Sequence, residues 1–175
     1  MRRLILLRHA KSDWPPGLAD LDRPLDARGS EAAPRMARYM ADEGLLPDLA
    51  LVSPARRTRQ TWDLVGPALG DVPMRTEARI YEAPAERLLE VVRETGEEVR
   101  GLLLVGHNPG FEELAARLVG HGDRYAFARM REKFPTAALA VIDFPTETWA
   151  EIAPRGGRLD RFVTPKAIGA GEDEG

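Results

Sequence analysis

Cysteine is absent from the 175 residues. That excludes disulfide staples, thiolate nucleophiles and cysteine-held metal centres, and it fits a reducing compartment, so a cytoplasmic location is expected. Histidine is scarce, with three in the chain. His9, His107 and His121 follow no zinc-ligand spacing, so no metal is expected. No apolar run approaches the roughly 20 residues of a membrane span. The opening run Leu4-Ile5-Leu6-Leu7 stops at Arg8, short of a secretory apolar core of about 7–15 residues. Excess positive charge is missing too: 25 Lys and Arg stand against 28 Asp and Glu, a formal net charge of −3. A chain so balanced lacks the electrostatic footprint of a nucleic-acid binder. There is no Gly-x-x-x-x-Gly-Lys-Ser/Thr loop, so nucleotide-driven phosphoryl transfer has no support.

What is present describes an ordinary globular protein. Hydrophobic residues make up 43% and charged residues 30%, and the length suits one domain over residues 1–175 with a buried core. Residues 167–175, rich in Gly, Glu and Asp, read as a frayed acidic tail. No internal repeat or linker stands out.

Apolar runs alternate with helical patterns. Leu4 to Leu7 reads as a strand covered on both faces. Residues 26–43 carry Met36, Ala37, Tyr39 and Met40 at helical spacing, with Asp26 as N-cap, Gly44 as stop and Pro34 as a kink. Leu49 to Val52 is a second strand, followed by a helix over 56–69. Residues 84–95 form a helix between Pro84 and Gly96. Leu102 to Val105 is the most apolar strand, and a helix follows to about Val119. Residues 137–144 and 148–152 read as a hairpin about Pro145. The alternation predicts a three-layer α/β/α sandwich whose mostly parallel sheet has one antiparallel edge strand.

In such sheets ligands bind beyond the carboxyl ends of the strands. Three predicted strand ends carry polar residues: Arg8-His9, Ser53-Pro54 leading to Arg56 and Arg57, and Gly106-His107-Asn108-Pro109. If those strands are neighbours, imidazoles and guanidinia converge and call for an anion. Phosphate matches arginine's planar fork. Phosphoryl transfer needs positioning and charge neutralisation, and a neutral imidazole near pH 7 can attack phosphorus. The plainer alternatives are a tight turn at residues 106–110 and a solvated arginine face, since Arg56, Arg57 and Arg59 cannot all point one way on a helix.

Taken in order, Leu7-Arg8-His9-Ala10, the run from Ser53 to Thr61, and Gly106-His107-Asn108-Pro109 resemble the histidine phosphatase superfamily, which also holds the cofactor-dependent phosphoglycerate mutases. Arg8-His9-Ala10-Lys11-Ser12 and Arg23-Pro24-Leu25 are most similar to the SixA-type phosphohistidine phosphatases. The resemblance spans roughly residues 1–145. It implies a phosphoglycerate mutase-like fold and metal-independent hydrolysis through a phosphohistidine on His9, with no cofactor. It implies that Arg8 and Arg57 bind phosphoryl oxygens and that His107 completes the pocket. Arg23 is a further phosphate-facing arginine on that reading, or else a partner of Asp20 or Asp22. Lys11, Ser12 and Asn108 are expected to bind substrate, and Trp14 to line the rim or cover the core edge.

One departure concerns the general acid. The superfamily's usual Leu-Arg-Glu-type segment is replaced here by residues 78–84, where Glu82 is the candidate acid. A weak acid suits a P–N substrate better than an ester, because imidazole leaves more easily than an alkoxide. The favoured substrate is a phosphohistidine protein. A small-molecule phosphomonoesterase or mutase-like enzyme is the rival, and a non-catalytic phosphate-binding module is the rival of another class. Neither a nucleic acid nor a membrane is expected as partner.

Overall fold

The computed structural model describes all 175 residues. Its frame is one seven-stranded sheet. Along the chain run β1 (Arg2–Arg8), α1 (Ala27–Asp42), β2 (Leu49–Val52), α2 (Arg56–Val65), β3 (Met74–Thr76), α3 (Ala85–Arg93), β4 (Gly101–Gly106), α4 (Gly110–Leu118), β5 (Val119–Gly122), α5 (Arg124–Glu132), β6 (Leu139–Phe144) and β7 (Gly157–Val163). The strand order is β3-β2-β4-β1-β6-β7-β5. Helices cover both faces, as a phosphoglycerate mutase-like α/β/α sandwich requires.

The continuous apolar runs follow from this cover. Along β1, Leu4 and Leu6 face a core shared with α3, α4 and α5, while Ile5 and Leu7 face one shared with α1 and α2. Both sides of the strand are buried, so alternation with polar residues is lost. Each such leucine contributes roughly 1.5–3 kcal/mol by leaving water.

The expectation of one antiparallel strand in a mostly parallel sheet holds, and that strand is β6. Its place differs: β6 lies between β1 and β7, inside the sheet. All six of its residues are buried, which suits an interior strand. The hairpin partner is also displaced. Residues 148–152 hold a 3-10 turn, Trp149–Glu151, and the strand begins at Gly157. Trp149 is buried and its indole N–H donates to the Val99 carbonyl at 2.6 Å, so this segment serves as a core plug. The true edges are β3 and β5, too short and polar to show in the sequence. Short edge strands limit unwanted sheet extension.

Asp26 caps α1 by accepting from the Gly29 N–H at 2.8 Å. The helix runs unbroken through Pro34, which lies on its exposed side. The acidic tail is not frayed. The Glu174 carboxylate meets Arg28 at 2.5 Å and Lys11 at 3.4 Å, and its carbonyl accepts from the Thr136 N–H at 2.8 Å. Cations on the loop after β1 and on α1 hold it down.

Gly29 lets α1 approach that loop. A Cβ there would sit 2.1 Å from the Lys11 carbonyl oxygen, which accepts from the Asp26 N–H at 3.0 Å. We predict that Gly29→Ala pushes the loop aside and destabilises the protein by about 1–3 kcal/mol, the usual range for overpacking. Urea unfolding measures this, and an unchanged midpoint would show that the loop yields freely.

Candidate active site

Parallel pairing ends three adjacent strands at one level. Arg8 pairs with Gly106, and Val52 with Val105. The next residues continue the ladder: the His9 N–H donates to the Gly106 carbonyl and the Ser53 N–H to the Val105 carbonyl, both at 3.0 Å. His9, Ser53 and His107 therefore emerge side by side. The two imidazole centroids lie 5.3 Å apart. The cavity they line, with Arg8, Arg23 and Arg57, has a volume of about 220 Å³.

His9 is buried, and its Nδ1 lies 2.7 Å from the Ala10 carbonyl. A carbonyl only accepts, so Nδ1 carries the proton and Nε2 keeps its lone pair. Thr61 fixes the backbone here: its hydroxyl accepts from the Ala10 N–H at 3.0 Å and donates to the Arg57 carbonyl at 2.7 Å. His107 is held between two partners. An Arg57 N–H donates to its Nδ1 at 3.3 Å, which leaves Nε2–H to donate to Ser53 Oγ at 2.7 Å.

The arginines divide by their place on α2. Arg57 is buried and faces the cavity, while Arg56 and Arg59 are exposed. Arg8 donates to the carbonyls of Phe134 and Gly175, each at 2.9 Å, and its buried Nε has no partner. Burial lowers the Arg8 pKa to about 10. A desolvated guanidinium with an unspent N–H is suited to an anion. Arg23 is buried; it pairs with Asp20 at 2.9 Å, as anticipated, and also lines the cavity. It further donates to Ser12 Oγ and stacks over the exposed Trp14 ring at 3.3 Å, which puts Trp14 at the rim.

Lys11, Ser12 and Asn108 also line the cavity. The Asn108 amide is already engaged, donating to the Phe134 carbonyl at 2.9 Å and accepting from the Glu112 N–H at 3.2 Å. Glu82 is not brought in. It is exposed on a turn with φ 53° and does not line the cavity. Its neighbour Tyr81 reaches the site instead, edge-on to His107 with centroids 5.6 Å apart.

Asp20 is the residue the sequence did not single out as part of the site. Its carboxylate meets Arg23 at 2.9 Å and Arg57 at 3.1 Å, and accepts from the Tyr81 hydroxyl at 2.5 Å. Its carbonyl takes a second N–H of Arg57 at 2.8 Å. Partial burial pushes its pKa up, but the Tyr81 and Arg57 hydrogen bonds outweigh this and hold it at about 2. Nothing in the loop from Asp13 to Asp22 has the periodicity or motif that would reveal this. The Tyr81 hydroxyl, partly buried and beside Asp20, is pushed up to about 12.

Burial, and then the Arg57 charge, lower the His107 pKa to about 3; burial first, with His107 and the arginines, takes His9 well below its ordinary value. Both rings are neutral near pH 7. An unfolded histidine titrates near 6.5, so between there and about 3 the unfolded chain binds more protons. Stability is therefore full above about pH 6.5 and falls as pH drops below it. We predict that between pH 7 and 4.5 a His107→Gln variant loses roughly 2–3 kcal/mol less stability than wild type, at ~1.4 kcal/mol per unit. Urea unfolding at both pH values measures this; equal losses would mean that His107 titrates normally in the fold.

Known proteins resemble this chain in sequence and in fold. Residues 4–88 match the model of the histidine phosphatase superfamily (branch 1). An uncharacterised protein of Mycobacterium tuberculosis is 36% identical over 162 residues, covering 91% of this chain and all of that one. A candidate phosphohistidine phosphatase SixA from Agrobacterium tumefaciens superposes with a TM-score of 0.80 at 34% identity, covering 94% of this chain and 98% of the other. The fold alone is shared with a candidate α-ribazole-5′-P phosphatase of Escherichia coli, at a TM-score of 0.67 and 19% identity, over 94% and 98% of the two chains.

Proposed function

The chain belongs to the histidine phosphatase superfamily, and on that premise we propose that it is a phosphohistidine phosphatase working through His9. Residues 1–175 act as one domain on this reading, since every strand joins the same sheet. The attacking atom is His9 Nε2, freed by the Nδ1–H bond to the Ala10 carbonyl. Nε2 bonds to phosphorus as the substrate's P–N bond breaks; the substrate ring, protonated on its other nitrogen, leaves as neutral imidazole, and water then hydrolyses the phosphorylated His9 to inorganic phosphate. Arg8 and Arg57 neutralise the phosphoryl oxygens. Asp20 keeps Arg57 and Arg23 oriented until the phosphoryl group arrives. Charge is supplied by guanidinia, and no step calls for a metal or cofactor.

One observation carries the choice of substrate. Glu174, the carboxylate that lines the pocket, is held ionised by Arg28 and Lys11, and Asp20, behind the arginines, by the Tyr81 hydroxyl and Arg57. Neither has a proton to give near neutral pH. An alkoxide leaving group needs one, whereas imidazole is a much weaker base. The protein substrate would be met in the cytoplasm.

Three experiments test the reading. Turnover of a labelled phosphodonor, quenched in alkaline detergent, should leave acid-labile, alkali-stable label on wild type and none on His9→Ala; equal labelling of both would refute the covalent step. Arg57→Ala should lose on the order of 10²–10³ in kcat, as for other preorganised charge-stabilising groups, while exposed Arg56→Ala stays near wild type. In substrate profiling, much faster cleavage of sugar phosphates than of phosphohistidine would favour a small-molecule phosphomonoesterase.

A further inference from the structure

The acidic tail lies in a groove that opens onto His9. A second cavity, of about 300 Å³, adjoins the catalytic one, and the two share Lys11, Thr136 and Glu174 as walls. Glu174 thus stands as the partition between them. Its partners are ordered as a peptide-binding site would be. The main chain is read by the Thr136 N–H, at 2.8 Å from the Glu174 carbonyl, and by Lys133 Nζ, at 2.8 Å from the Asp173 carbonyl. The side chain is read by charge, with Arg28 at 2.5 Å and Lys11 at 3.4 Å from the Glu174 carboxylate. Glu31 is the one acidic lining residue of the second cavity outside the tail. The tail also reaches the chemistry: the Gly175 carbonyl takes an N–H of Arg8 that a phosphoryl oxygen would need.

We propose that this groove docks an acidic stretch of the phosphoprotein substrate, and that Glu172-Asp173-Glu174 occupies it in cis until the substrate displaces it. The inference rests on the phosphohistidine-protein reading above. It adds what that reading lacks, a surface that selects the polypeptide around the phosphohistidine. Main-chain contacts to Thr136 and Lys133 tolerate any sequence, while Lys11 and Arg28 select acidic side chains. Tail and substrate then compete for the same cations. The binding is electrostatic and partly exposed, so it should weaken as the screening length falls from about 10 Å at 0.1 M salt to about 3 Å at 1 M.

The test uses the full chain and two phosphohistidine peptides of equal length, one flanked by three acidic residues and one by their amides. Phosphoramidate serves as the small P–N probe. Wild type should prefer the acidic peptide in kcat/KM by on the order of 10-fold, the sum of a few exposed ion pairs. The preference should shrink at 1 M salt. Neutralising the tail (Glu172→Ala, Asp173→Ala and Glu174→Ala together) should lower KM for the acidic peptide several-fold. Arg28→Ala, exposed and outside the catalytic pocket, should abolish the preference while leaving phosphoramidate turnover unchanged. If both peptides are cleaved equally well and the tail variant changes neither KM, the groove proposal is wrong and the phosphohistidine reading stands. If neither peptide is cleaved while a small phosphoester is, the substrate reading fails and the groove proposal fails with it.

Discussion

Three parallel strand ends held at one level are the constraint on which the rest of this protein depends. The β1–β4–β2 register is extended by one residue through the His9 and Ser53 N–H bonds to β4 carbonyls. That single step carries His9, Ser53 and His107 off the sheet together, beside the first turn of α2. Two imidazoles and three guanidinia are thereby crowded into a small, partly desolvated volume. Both rings lose basicity, and Arg8 becomes less willing to carry its charge. A protein accepts such crowding where an anion is to be received, because the anion repairs at once what burial and like charge have cost.

The residues that line the cavity are held by a layer of contacts behind them. Thr61 ties the chain after His9 to the Arg57 carbonyl, and Gln60 accepts from the Leu25 N–H at 2.8 Å to anchor the Arg23 loop. Asp20 joins Arg23, Arg57 and Tyr81 at one carboxylate. Through these contacts α2 and the loop after β1 form one positioning unit. The His9 tautomer, the arginine forks and His107 are set by the fold alone, which is the sense in which such a site is preorganised.

Much of this was legible before the structure. Strand–helix alternation gave the layers, and the carboxyl-end rule selected Arg8, His9, Arg57 and His107 because their signals are local: an apolar run, then a polar residue. Arg57 was separable from Arg56 by motif position, and burial agrees. What stayed hidden depends on distant partners. Asp20 sits in a loop with no periodicity, and its role appears only when Arg57 and Tyr81 arrive from elsewhere. β6 looked like an edge strand because hairpins usually end sheets, whereas its uniform burial belongs to an interior position. The tail looked frayed from composition alone, since composition does not reveal the cations of Lys11, Arg28 and Lys133 that face it.

Trp14 has a consequence of another kind. Its ring is 73% exposed and stacked 3.3 Å from the Arg23 guanidinium, whereas Trp62 and Trp149 are buried. An aqueous quencher such as iodide reaches it in preference to the other two. Any anion that draws Arg23 toward His9 must also slide a cation off the face of that indole. The molecule thus carries its own optical gauge at the mouth of the cavity, able to register a displacement of Arg23 without a label.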